Sequence, residues 1–148
     1  MLLLNSYQEM KIITNKIIIN LDSTKLSSDE CNLLENDIIG GVILFDHNYE
    51  NLDQTNRLID SIKSIRNDIL ISVDHEGGRV QRFQKEFTLI PSFEDIGGLY
   101  LREPELADKV AYHSGYVSAF ELKRLGIDIN FSPVIDLSSD SGVLNSRT

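Results

Sequence analysis

Apolar residues along this chain fall into short β-branched blocks that alternate with longer stretches of helical spacing. Residues 16–21 (Lys-Ile-Ile-Ile-Asn-Leu) predict a strand that stops at Asp22-Ser23. Ser27-Ser28-Asp29-Glu30 reads as a helix start, with serines to cap and acids in the first turn, and Leu33, Leu34 and Ile38 mark the apolar side of that helix. Residues 42–45 (Val-Ile-Leu-Phe) form a wholly apolar run of the kind buried on both faces, ending in Asp46-His47-Asn48. From Asn51 to Arg66, Leu52, Thr55, Leu58, Ile59, Ile62 and Ile65 recur at helical spacing; Asn51 is the cap and Gln54 its reciprocal partner. Residues 69–73 predict a third strand, followed by a long loop through Pro91. A further helix opens at Glu103-Pro104 and runs to Leu125, where Gly126 supplies a left-handed stop. Ala107, Ala111, Ser114, Gly115, Ser118 and Ala119 predict close packing along it, and residues 128–133 predict a fourth strand.

The resulting order, β-α-β-α-β-loop-α-β, calls for parallel strands covered by helices. The pattern alone fits a half-barrel or a doubly wound sheet equally. With 148 residues the chain can build one ordinary domain, but a closed (β/α)8 barrel takes about 250 residues. A net charge of −9 speaks against a nucleic-acid scaffold, where a basic stripe is expected. The lone Cys31 has no partner for an internal disulfide; its place in a helical pattern marks it as a small core residue and weakly favours a reducing compartment. Met1-Leu2-Leu3-Leu4 is too short for a secretory leader, and no run reaches the roughly 18 apolar residues of a membrane span. The expectation is a cytoplasmic protein with no nucleic-acid or membrane partner, in which residues 1–14 are an extension or a lead-in to the first strand.

The chemistry concentrates in residues 71–83, Ile-Ser-Val-Asp-His-Glu-Gly-Gly-Arg-Val-Gln-Arg-Phe. An apolar strand here ends in acids and opens into a Gly-Gly turn, which delivers polar groups to one rim of a sheet, where α/β folds bind ligands. The Asp74 carboxylate can accept hydrogen bonds from two adjacent hydroxyls, and the Arg82 fork can hold a carboxylate or several hydroxyls. The plainer reading of Asp74 is a turn or cap aspartate. Gly77 and Gly78 fit backbone angles or approaches that a Cβ would block. Arg79 is open between a loop-fixing ion pair and a direct contact. Asp74, His75 and Glu76, with His47, could be taken for a metal set, but neighbouring strand residues point to opposite faces. Asp74 and Glu76 could be taken for a glycosidase carboxylate pair, but acids on one turn lie on the same side of a sugar and cannot flank its bond. Glu76 is better read as a loop-fixing acid. Asp22, Asp46, His47 and Asp136 also follow strands, and each taken singly reads as a turn former or helix cap; Asn130 or Ser132 could support a pocket, and His113 belongs to packing or surface.

The run Asp74–Phe83 resembles the signature of bacterial β-N-acetylhexosaminidases of glycoside hydrolase family three. The likeness takes in residues 40–45, Phe87-Thr88, Pro91, Glu121-Leu122 and residues 126–137, so that it spans about residues 15–148. It implies the N-terminal half of a (β/α)8 barrel, truncated at the C-terminus. The implied reaction is hydrolysis of terminal β-linked N-acetylglucosamine from peptidoglycan fragments by retaining double displacement. The aspartate nucleophile and the acid/base histidine are expected after Thr148, so no catalytic residue is expected in this stretch, and the 148 residues alone should be inactive. By the same resemblance Asp74 and Arg82 hold the sugar, and no metal or cofactor is required. Arg147, in Val143-Leu144-Asn145-Ser146-Arg147-Thr148, matches a substrate-contacting arginine, although Asn145 and Thr148 stand where the family has glycine and serine. The competing readings are a metal-dependent barrel hydrolase and a non-catalytic sugar-binding relative.

Overall fold

The computed structural model describes residues 17–134. Each β-branched block becomes a strand: β1 (Ile17–Asn20), β2 (Ile39–Leu44), β3 (Leu70–Val73) and β6 (Ile129–Asn130) pair in parallel, in the order β1-β2-β3-β6. Spatial order follows chain order without reversal. A doubly wound sheet reverses at a switch point, whereas a barrel winds steadily in one direction, so the described sheet has the winding of a partial barrel. A second, two-stranded antiparallel sheet joins β4 (His75–Gly77) to β5 (Val80–Gln81). The helices are α1 (Ser28–Leu34), α2 (Leu52–Ile65), α3 (Phe93–Tyr100) and α4 (Pro104–Leu125).

Local chemistry sets the helix ends. Ser27 caps α1 in a full capping box: its hydroxyl accepts from the Glu30 amide, and the Glu30 carboxylate accepts from the Ser27 amide at 2.7 Å and from the Asp22 amide at 2.8 Å. Burial pushes the Glu30 carboxyl up, but these hydrogen bonds from Ser27 and Asp22 outweigh it and hold the group below its ordinary value. The helix ends at Leu34, earlier than its apolar pattern suggests. Asn36 accepts from the Ile38 amide through its own side chain, forming a turn that carries Ile38 out of the helix and leaves it exposed. Cys31 is half-buried, short of the core position expected of it. Asn51 caps α2 as expected, but Gln54 does not reach back to it. Gln54 accepts from the Glu50 amide and donates to the Thr24 and Asn48 carbonyls, so it acts as a buried tie between loops. At the end of α4, Gly126 adopts φ 88°.

Val42, Leu44, Ile71 and Val73 of the sheet pack against Leu34, Leu58, Ile62, Leu122 and Leu125 of the helices in one core. Each fully buried Leu or Ile contributes roughly 1.5–3 kcal/mol. Polar ties close the N-terminal end of the sheet. Lys63 donates to the Ile69 carbonyl at 2.7 Å and pairs with Asp128 at 3.0 Å, while Asp128 accepts from the Ile71 amide. The small residues of α4 do not all serve close packing. Ala107 and Ser118 are buried, but Ala111, Gly115 and Ala119 are exposed, and nothing lies within 4 Å of a Cβ placed on Gly115.

Candidate functional site at the strand ends

The loop expected after the third strand is in its first part a hairpin. Chain leaving β3 passes Asp74, enters β4, turns at Gly78-Arg79 and returns as β5 directly into Arg82. His75 faces Gln81 across this hairpin, and one residue beyond each strand Asp74 and Arg82 meet as an ion pair. Strand alternation then sorts the two pairs. His75 and Gln81 turn inward, only 2% and 4% exposed, while Asp74 and Arg82 stay half-buried at the C-terminal rim of the parallel sheet. Arg82 Nη2 lies 3.6 Å from Asp74 Oδ2, an ion pair longer than a hydrogen bond. The guanidinium carbon sits 5.2 Å from the centre of the Phe45 ring, within cation–π range, and Arg82 Nε is buried without a hydrogen-bond partner among the described residues.

Both glycines are needed for the turn. Gly77 has φ 91°, and a Cβ there would stand 2.6 Å from the Pro91 carbonyl oxygen. Gly78 has φ 53°, and a Cβ would stand 2.7 Å from Ser92 Cβ. The Gly78 amide donates to the Ile90 carbonyl at 2.8 Å, so the turn lies flat against residues 90–92. Gln81 completes the loop from inside. Its amide donates to the Phe83 and Thr88 carbonyls and accepts from the Ile90 amide at 2.8 Å. Glu121 of α4 holds the same loop by accepting from the Thr88 amide and hydroxyl.

Several acids and histidines read from the sequence prove structural. The His75 ring sits among Phe83 and Phe87, with neither nitrogen hydrogen-bonded among the described residues, and burial pulls its pKa down to about 4 against an opposing pull from Glu121. His47 Nε2 lies 2.8 Å from the Leu21 carbonyl, which accepts a hydrogen bond from the ring. Asp74, His75 and His47 therefore point to different places, and among the described residues no group of three or more His, Cys, Asp or Glu could hold a metal ion. Glu76 is buried within the hairpin and Arg79 is exposed at its tip. Asn130 supports the rim as expected: its side chain accepts from the His75 amide at 2.9 Å and donates to the His75 carbonyl, locking the end of β3 to β6. Exposed His113 meets Tyr112 edge to face. Asp136 and Arg147 lie outside the described residues.

The sequence reading missed Phe45, Gln81 and Glu121 as parts of this assembly. Phe45 was read as the end of a core strand, and only its place just before a polar rim segment hinted otherwise. No described helix is long and apolar enough to cross a membrane.

Compared with known proteins, residues 7–148 match the family described as glycosyl hydrolase family 3 N terminal domain. A β-hexosaminidase of Nitrosospira multiformis is 38% identical over 133 residues, which is 88% of this chain and 38% of that protein. A β-hexosaminidase of Bordetella pertussis is 43% identical over 129 residues, 86% of this chain and 36% of that protein. Among solved structures, NagZ from Neisseria gonorrhoeae in complex with N-trifluoroacetyl-D-glucosamine superimposes with a TM-score of 0.80 at 36% identity, over 84% of this chain and 37% of that one. A family 3 β-N-acetylglucosaminidase from a Paenibacillus strain gives a TM-score of 0.74 at 28% identity, over 84% of this chain and 24% of that one. This chain thus spans between a third and two fifths of the length of the curated relatives it matches. The strand order, the rim hairpin and these likenesses together place the chain in glycosyl hydrolase family 3, within the family's N-terminal domain.

Proposed function

We propose that this chain supplies the sugar-gripping part of a retaining exo-β-N-acetylglucosaminidase that releases terminal N-acetylglucosamine from peptidoglycan fragments in the cytoplasm. The observation that carries the reading is the Asp74–Arg82 ion pair: a carboxylate and a guanidinium 3.6 Å apart at the C-terminal rim of a parallel sheet. Such a pair offers adjacent acceptors and donors to neighbouring sugar hydroxyls. Arg147 is assigned to the same pocket by its motif. The β-hexosaminidase and N-acetylglucosaminidase relatives support the choice of N-acetylglucosamine as the sugar.

Asp74 positions the sugar and does not attack it. Glu76, two residues on in the same hairpin, lies on the same side of any bound sugar, so the two carboxylates cannot flank a scissile bond. Double displacement then falls to an aspartate nucleophile and a histidine acid/base beyond Thr148 in the intact protein. The test is release of p-nitrophenol from p-nitrophenyl N-acetyl-β-glucosaminide by the full-length protein, with the anomeric product followed by NMR. Release with retained β configuration is expected. A folded protein without turnover, or an inverted product, overturns the proposal.

A further inference from the structure

Arg82 carries a long, flexible side chain, yet among the described residues its guanidinium has one carboxylate beside it, at 3.6 Å and not in a two-pronged fork. A planar cation held this loosely needs a second constraint before it can present its donors in a fixed direction. The face of Phe45 supplies one, 5.2 Å from the guanidinium carbon. Phe45 is half-buried at the end of β2, where a core strand passes into the Asp46–Asn48 turn.

That ring is itself supported. His47 lies nearly parallel to it, 8° between planes and 5.9 Å between centres. The His47 imidazole is tied in turn to the Leu21 carbonyl at the end of β1, and Asn48 fastens the same turn by donating to the Leu21 and Ser23 carbonyls at 2.9 Å. Three consecutive strand ends thus feed one stack: Leu21 holds His47, His47 lies on Phe45, Phe45 carries Arg82, and Arg82 meets Asp74 beyond β3. An apolar residue that serves only the core has no need of this arrangement, since neither His47 nor Arg82 is a core group.

We propose that Phe45 is a positioning residue for Arg82, aligning the guanidinium for sugar hydroxyls, with His47 as its backing. The role rests on the sugar-pocket reading above, but the ring–guanidinium contact can be judged without sugar. In proton–nitrogen spectra of the full-length protein, recorded without sugar, the Arg82 Nε–H signal is expected to carry a ring-current displacement that Phe45→Leu removes and Phe45→Trp keeps. An Arg82 signal unchanged by Phe45→Leu overturns the proposal whatever the sugar does.

The second arm is a double-mutant cycle on N-acetylglucosamine affinity, measured by calorimetry on the full-length protein. Phe45→Leu is expected to weaken binding roughly two- to fivefold, the scale of a partly exposed cation–π contact. Phe45→Trp should restore it, and Phe45→Leu should have no further effect once Arg82→Ala is in place. An equal loss in both backgrounds would mean that Phe45 supports the fold and not Arg82, which sinks the proposal. If the unaltered protein binds no N-acetylglucosamine, the sugar-pocket reading falls and the role of Phe45 in it falls too. If it binds and only the cycle is additive, the pocket stands and the positioning role alone is lost.

Discussion

Asp74 and His75 are consecutive, yet the strand alternation that separates them gives them opposite physical lives. Asp74 faces the rim beside Arg82, half-buried and 3.6 Å from its guanidinium, where it is proposed to take sugar hydroxyls. Removing it with Asp74→Ala should weaken N-acetylglucosamine binding by about 2–3 kcal/mol, the scale for losing charge-assisted hydrogen bonds. Calorimetry on the full-length protein checks this, and an unchanged affinity would reduce Asp74 to a turn residue. His75 instead lies inside, 2% exposed, with its pKa pulled down to about 4 from 6.5. The folded state keeps the ring neutral. Above pH 6.5 neither state is protonated and His75 is silent. As pH falls below 6.5 the unfolded chain takes a proton that the folded chain refuses, and stability drops by about 3 kcal/mol before levelling near pH 4. Urea midpoints of the full-length protein across this window should fall for the unaltered form and much less for His75→Leu. A His75 ring signal that titrates near 6.5 by NMR would show that its burial does not persist.

The β4–β5 hairpin brings a run of polar residues together into the candidate site, and it stands on its two glycines. Gly77→Ala places a Cβ 2.6 Å from a backbone oxygen at φ 91°, so both angle and space oppose it. A loss of about 2–5 kcal/mol is expected from left-handed strain plus overpacking, read as a shift in the urea midpoint of the full-length protein. Gly98→Ala in α3 is the control, since nothing lies within 4 Å of that Cβ, and it should be neutral or stabilising by up to about 1 kcal/mol. Equal losses at the two sites would refute the steric argument. The same contrast explains what could be read in advance. The strands of the parallel sheet and helices α1, α2 and α4 announce themselves by period and caps, and Asp74 and Arg82 by their motif. The hairpin hid because its inward residues, His75 and Gln81, are polar, so no alternation of apolar and polar marks β4 or β5. One clue was present: Asp74 and Arg82 are spaced evenly about Gly78, as a pair meeting across a turn must be. Helix α3 hid behind Gly97 and Gly98, poor helix formers in a short segment that buries no residue. Phe45 hid because an apolar residue at a strand end reads as core until a cation is seen on its face.

Across the whole described sheet, strand order β1-β2-β3-β6 leaves β1 and β6 as its two edges. A parallel barrel closes such edges on each other, but the sheet described has half the strands a barrel needs. The consequence shows in the side chains. Ile17 and Ile18 on β1 are 42% and 46% exposed, Phe131 just beyond β6 is 42% exposed, and Tyr112, Tyr116 and Phe120 line an uncovered stretch of α4. Exposed apolar groups beside unpaired strand edges are a template for association. The chain of 148 residues on its own should therefore self-associate at micromolar concentration or remain partly molten, and should hydrolyse no β-N-acetylglucosaminide. Sedimentation velocity combined with a thermal scan tests this. Species larger than a monomer, or a broad melt with dye-accessible apolar surface, are expected. A clean monomer that unfolds sharply and reversibly would mean that residues outside 17–134 cover these edges, and the picture of an open half-barrel would have to be given up.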